Sequence, residues 1–186
     1  MILPSWPFTV WGMDILGPFP RAVGGYRFLY VAIDKFTKWP EATPVVSISK
    51  QTAVKFLKSI VCRFGVPNRI ITDNGTQFTS GLFQDYCEDL GIKICYASMA
   101  HPRSNGQAER ANAEILRGLK TRTFDCLKKS GAGWIDVLPS VLWANRTTPN
   151  RATRETPFFL VYGAEAVLPP EIARGSLGVT AYDEAA

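Results

Sequence analysis

The hydrophobic positions change their period along the chain. Phe8 to Ile15 is rich in β-forming residues and stops at Gly17-Pro18, which predicts a first strand. Tyr26 to Ile33 is an almost unbroken apolar run, the pattern of a strand covered on both faces. Gly24-Gly25 just before it suits a hairpin turn. Trp39 to Val46 reads as a third strand, and Pro40 and Pro44 put it at an edge, because proline cannot donate to a ladder. From Thr52 to Phe64 the spacing turns helical. Ala53, Phe56, Leu57, Ile60, Val61 and Phe64 make one stripe, and Gly65-Val66-Pro67 ends it. Arg69 to Thr72 is a short β-branched strand that stops at Asp73-Asn74-Gly75. A second helix over Gly81 to Leu90, closed by Gly91, and a fifth strand over Ile92 to Tyr96 follow.

Ser104 and Gln107 stand three apart, a capping-box pattern that opens a long helix reaching about Leu127 and broken by Gly131 to Gly133. Trp134 to Asn145 is a further amphipathic helix in which Pro139 predicts a kink. Thr156-Pro157 is an N-cap followed by proline in the first helical position, starting a short helix through Tyr162. The order of three strands, helix, strand, helix, strand and then helices predicts a mixed sheet with helices packed on it, an α/β layered domain. Residues 1–170 form that domain, and 171–186 read as a tail, the start of a truncated linker.

Composition narrows the picture. With 186 residues, 46% of them hydrophobic, the chain fits one globular domain with a proper core. No run is long and apolar enough for a membrane span, and no secretory signal pattern opens the chain, so an intracellular protein is expected. The net charge of +5 leans towards a polyanionic partner, and much of the excess falls between Arg103 and Lys129. Cys62, Cys87, Cys95 and Cys126 form no CxxC pair, and a single His leaves no zinc set. They are expected to be reduced, buried thiols.

Three carboxylates stand where structure can gather them: Asp14 in the first strand, Asp73 at the end of the fourth, and Glu109 in the second turn of the capped helix. If strands one and four are neighbours, Asp14 and Asp73 sit side by side. Helical geometry puts Glu109 at the edge of the stripe formed by Ala108, Ala111, Ile115 and Leu119. Clustered carboxylates repel one another unless a cation lies between them. Hard oxygen ligands of this kind suit Mg²⁺ or Mn²⁺, and two such ions about 3.5–4 Å apart activate the attacking oxygen and stabilise the leaving one in phosphoryl transfer. Each acid also has an ordinary reading, as a strand end, a turn or a solvated helix residue. Asp34, Asp85, Glu88 and Asp89 are read only in that ordinary way.

The segments Thr72 to Phe78 (TDNGTQF) and His101 to Ile115 (HPRSNGQAERANAEI) resemble the integrase core of retroviruses and retrotransposons. Between Asp73 and Glu109 lie 35 residues, as in the family's D,D-35-E signature. Trp11 to Pro18 (WGMDILGP) matches the segment with its first Asp. Trp143 to Gly163 (WANRTTPNRATRETPFFLVYG) is similar to gypsy-class long-terminal-repeat retrotransposons of the plant type. The resemblance implies a ribonuclease H-like fold with a five-stranded mixed sheet and helices on both faces. It also implies DNA 3′-end processing and strand transfer, with Asp14, Asp73 and Glu109 as ligands of two Mg²⁺ or Mn²⁺ ions. Asn74, Gly75, Gln107 and Asn112 map onto positions near the DNA end. It further implies double-stranded DNA as partner (element ends and target), a homodimer or higher multimer, and nuclear action. The family's upstream zinc domain and downstream DNA-binding domain have no counterpart here, so a core fragment or truncated product is expected. Arg154 stands where the family more often has Gly, which costs stability if that position needs a positive φ.

Arg103, Arg110, Arg117 and Lys120 are further candidates for holding phosphates along the site's rim, against the ordinary reading of a solvated helix face. Trp134, Trp143, Phe158, Phe159 and Tyr162 read as core or subunit-interface residues. Two other functions stay open: a ribonuclease H-like nuclease using the same acids, and a decayed remnant that binds DNA or protein without chemistry.

Overall fold

The computed structural model describes residues 6–97 and 127–168. Strands β1 (Val10–Leu16), β2 (Phe28–Asp34) and β3 (Pro40–Val45) form an antiparallel meander. Helix α1 (Lys50–Phe64) then carries the chain back across the sheet to β4 (Arg69–Thr72), which pairs parallel with β1. Helix α2 (Gly81–Asp89) leads to β5 (Lys93–Tyr96), parallel to β4. Helices α3 (Trp134–Thr147) and α4 (Pro157–Tyr162) complete the described residues. The strand order is β3-β2-β1-β4-β5, the expected five-stranded mixed sheet, with β3 at an edge.

Pleating sorts the side chains onto two faces. Trp11, Met13, Tyr30, Ala32 and Ile70 point to one core, closed by Ala53, Phe56, Leu57 and Ile60 of α1 and Phe83 and Cys87 of α2. Leu16, Leu29 and Val31 point to the other, closed by Leu127 and by Trp134 and Leu138 of α3. Both faces therefore carry helices. Helix α1 begins at Ser49, whose hydroxyl accepts from the Thr52 N–H while the Thr52 hydroxyl takes the Ser49 N–H, a reciprocal cap.

Several expectations shift. β1 starts later than Phe8, because Phe8 itself adopts φ 66° and turns the chain into the strand. The β1–β2 connection is not a tight hairpin turn at Gly24-Gly25. The strands end at Leu16 and restart at Phe28, and a short 3-10 turn at Val23–Gly25 fills part of the wider loop. Helix α3 runs through Pro139 as one helix. The proline lies in the second turn and is exposed, so its ring removes a single early hydrogen bond at the solvent side. Thr156 caps α4 as expected, its hydroxyl accepting from the Phe159 N–H. Arg154 has φ 62°, so the position does require the left-handed conformation that glycine adopts freely. Among the described cysteines only Cys87 is buried. Cys62 is exposed on the outer side of α1, and Cys95 is intermediate; all three are free thiols. Trp134 is core, but Trp143, Phe159 and Tyr162 remain substantially exposed. The capped helix from Ser104, the remaining cysteine Cys126 and the 171–186 tail lie outside the described residues.

Two buried carboxylates belong to the edge of the sheet. Asp34, read in the sequence as an ordinary turn residue, is completely buried and ties the β2–β3 turn together. It accepts from the Thr37 N–H at 2.8 Å, the Thr37 hydroxyl at 2.7 Å and the Phe8 N–H at 3.1 Å. Burial raises its pKa, and these hydrogen bonds pull it partly back. Glu41 takes the Trp39 indole N–H at 2.7 Å and ion pairs from Arg63 at 2.6 Å and Arg146 at 3.2 Å. The Arg146 guanidinium also lies 4.4 Å from the Trp39 ring centroid. This cluster bolts α1 and α3 to the edge strand.

Candidate active site

The switch point of the sheet lies at β1, which has β2 on one side and β4 on the other. Open sheets of this kind bind ligands beyond the carboxyl ends of the strands at such a point. β1 and β4 pair in parallel through Val10–Arg69, Trp11–Ile70 and Gly12–Ile71. Carried two residues further along each strand, this register sets Asp14 beside Asp73. Asp14 also pairs with Val31, which places its side chain on the face of the Leu16, Leu29, Val31 and Leu127 core. The expected neighbourhood of strands one and four is therefore present.

Asp14 is buried, 2% exposed, and its Oδ1 accepts from the Ile15 N–H at 2.8 Å. Asp73 is half-buried just past the end of β4, and its Oδ1 accepts from the Gly75 N–H at 3.0 Å. The turn that follows is fixed at several points. Phe78 is fully buried against Tyr30 and Phe83, and its N–H donates to the Gly75 carbonyl at 2.9 Å. Ser80 donates to the Gln77 carbonyl, and Tyr96 of β5 donates to the Phe78 carbonyl. Asn74 is exposed and Gly75 half-buried at the mouth of this turn. A rigid sheet thus holds one carboxylate, and a braced turn holds the other.

Two carboxylates side by side repel one another, and a hard divalent cation is the partner that would relieve this. Their donor chemistry fits such an ion. Among the described residues no three His, Cys, Asp or Glu side chains gather at one point. Glu109 lies outside them, as do Arg103, Gln107, Arg110, Asn112, Arg117 and Lys120. Sequence reasoning missed Gln77, whose side chain folds back over Gly75 towards Asp73. Its signal was its place in the TDNGTQF segment, two residues past the glycine.

A family model, the integrase core domain, matches residues 4–102. The chain belongs to the integrase core domain family. The matched span contains Asp14, Asp73 and the turn after it. The Gag-Pol polyprotein of feline leukemia virus is 36% identical over 168 residues, covering 90% of this chain and 9% of the polyprotein. The chain spans about a tenth of the length of the curated relatives it matches. Among solved structures, a simian T-cell lymphotropic virus intasome in complex with the PP2A regulatory subunit B56 gamma aligns at TM-score 0.62 and 26% identity. That alignment covers 90% of this chain and 58% of the other. The HTLV-2 integrase catalytic core domain in complex with magnesium, in a trimeric form, aligns at TM-score 0.55 and 22% identity, over 83% of this chain and 97% of that one. The integrase core has the ribonuclease H-like fold expected from the sequence. No helix among the described residues is long and apolar enough to cross a membrane.

Proposed function

We propose that this integrase core is a polynucleotidyl transferase of a gypsy-class, plant-type retrotransposon, processing DNA 3′ ends and joining them to target DNA. The observation that supports the reading is the parallel β1–β4 register, Val10–Arg69 to Gly12–Ile71, whose continuation by two residues puts Asp14 level with Asp73. Membership of the family supports the reaction class, and the Trp143 to Gly163 segment supports the gypsy-type assignment. Residues 1–170 are the core and 171–186 the beginning of a linker.

In this reading Asp14, Asp73 and Glu109 hold two Mg²⁺ or Mn²⁺ ions. When bound, these ions lower the pKa of the attacking hydroxyl or water and neutralise the leaving oxygen. The protein's own contribution is positional. Asp14 is fixed inside the sheet, so its oxygens offer a ligand with little conformational freedom left to lose. Asp73 is steered by the Gly75 N–H. In this reading exposed Asn74 and its neighbour Gly75 contact the DNA end, a role shared by Gln107 and Asn112. Arg103, Arg110, Arg117 and Lys120 neutralise phosphates along the approach. The partners are element ends and target duplex, the assembly is a homodimer or larger, and the place of action is the nucleus.

The test is a disintegration assay: Mn²⁺ with a branched DNA that mimics the joined product, beside an Asp73→Asn variant. Metal-dependent cleavage and resealing by the parent chain, lost in the variant, is the expected result. A folded chain that binds the branched DNA and leaves it intact would instead support a decayed, DNA-binding remnant. Arg154 is a feature that favours that second reading. A side chain held at φ 62° costs on the order of 1 kcal/mol, but it lies far along the chain from the acids and alters none of them.

A further inference from the structure

Asp73 stands one residue past the end of the β4–β5 ladder, whose last pair is Thr72 with Tyr96. The ladder stops short of it, so the chain on either side must fix its place. The end of β5 reaches both sides. The Ala97 N–H donates to the Thr72 carbonyl at 2.7 Å, just before the acid. The Tyr96 hydroxyl donates to the Phe78 carbonyl at 3.2 Å, beyond the turn that follows it.

From Tyr96 a line of hydrogen bonds runs back to the carboxylate. The peptide group that offers the Phe78 carbonyl also carries the Thr79 N–H, which donates to the Gly75 carbonyl at 3.0 Å. The Phe78 N–H donates to the same carbonyl at 2.9 Å. Gly75 then gives its own N–H to Asp73 Oδ1 at 3.0 Å. Peptide groups bonded in line polarise and orient one another. The phenol itself is set by Gln84 of α2. The Gln84 carboxamide donates to the hydroxyl oxygen at 3.2 Å and leaves the single phenolic proton for the Phe78 carbonyl. Burial of the Phe78 ring fixes where that residue stands. The Tyr96 hydroxyl fixes how its peptide is turned.

We propose that Tyr96 is a positioning residue for Asp73, on the metal-binding reading given above: its hydroxyl sets the peptide that holds Gly75, and Gly75 holds the carboxylate ready for the cation. A ligand ordered beforehand has less freedom to lose when the ion arrives, so the brace raises metal affinity. Tyr30 offers the contrast. Its hydroxyl bonds the Ser49 carbonyl and the Thr52 hydroxyl, at the start of α1.

The experiment measures Mn²⁺ binding to the 186-residue chain without DNA, by electron paramagnetic resonance. The set is the parent, Tyr96→Phe, Gln84→Met, Tyr30→Phe and Asp73→Asn, with melting curves to confirm folding. Tyr96→Phe is expected to weaken Mn²⁺ affinity about 5-fold, the equivalent of one neutral hydrogen bond. Tyr30→Phe loses a comparable bond elsewhere, and is expected to lower the melting midpoint while keeping the parent affinity. Gln84→Met, at an exposed position of α2, is expected to weaken affinity in the same direction, and it decides the matter if Tyr96→Phe does not fold. Parent-like affinity in folded Tyr96→Phe, or in Gln84→Met where only that variant folds, overturns the inference and leaves the site reading intact. Equal weakening in Tyr30→Phe overturns it too, as a general loosening of the fold. Parent binding that is absent, or indifferent to Asp73→Asn, overturns the site reading, and the inference falls with it.

Discussion

Two regions of this sheet bury carboxylates, and they treat them differently. At the β3 edge, Asp34 and Glu41 collect donors from distant parts of the chain. Asp34 gathers Phe8 and Thr37, and Glu41 gathers Trp39 and the guanidiniums of Arg63 and Arg146. At the β1–β4 switch point, the backbone donors to Asp14 and Asp73 come from one or two residues further along the same turn or strand. Among the described residues no Lys or Arg forms an ion pair with Asp73. Burial is similar for Asp14 and Glu41, at 2% and 5% exposed, so burial does not separate function from scaffold. Their place in the sheet does: Glu41, ion-paired with Arg63 and Arg146, ties α1 and α3 to the edge strand, whereas the β1–β4 register, continued by two residues, puts Asp14 level with Asp73, the pair proposed above to hold the cations.

The comparison can be broken by exchanging the roles. Asp14→Asn and Asp73→Asn are expected to lower disintegration activity on the order of 10³-fold or more, with the melting midpoint kept within a few degrees. A midpoint that collapses in either variant would put that acid in the scaffold class. Asp34→Ala is expected to do the reverse. It strands the Phe8 N–H and both Thr37 donors inside the protein, a loss of about 3 kcal/mol or more, read from urea unfolding, while any residual folded protein keeps its activity. Glu41→Gln keeps an acceptor for Trp39 but removes the charge facing Arg146, whose pKa is already lowered by burial and held up by Glu41. About 2 kcal/mol of stability should be lost, with no change in Mn²⁺ affinity.

Arg154→Gly is expected to stabilise the chain by up to about 1 kcal/mol, since the residue sits at φ 62°, and to leave DNA joining unchanged. The smallest effect concerns the thiols. Cys87 is buried, and its pKa is pushed up to about 11 by desolvation, so it should resist alkylation in the native protein. Exposed Cys62 should label readily, and mass mapping after iodoacetamide distinguishes them.

The sequence made some of this architecture legible and hid the rest for identifiable reasons. β4 was read to the residue because Ile70-Ile71 is bracketed by Pro67 and the Asp73-Asn74-Gly75 turn, local signals at both ends. The Thr156-Pro157 start of α4 was equally local. The start of α1 was placed late because its reciprocal cap uses Thr52 where a Glu or Gln is the usual signal. β1 was started early because a positive φ at Phe8 leaves no mark in a hydrophobic pattern. The burial of Asp34 and the joining of Glu41 to Arg63 and Arg146 depend on contacts between residues up to 105 positions apart, which no local window contains. For the site, spacing and motif nominate Asp14 and Asp73, and the β1–β4 register, continued two residues past Gly12 and Ile71, puts them level. The folding of the Gln77 side chain over Gly75 leaves no mark in the sequence, because it depends on the empty space over a glycine.

The most direct measurement of the central claim is anomalous diffraction from crystals of the core soaked in Mn²⁺. The account predicts a manganese peak bridging the carboxylates of Asp14 and Asp73, with metal–oxygen distances of about 2.1 Å, near those of Mg²⁺. Ordered carboxylates at both positions with no manganese between them would contradict it.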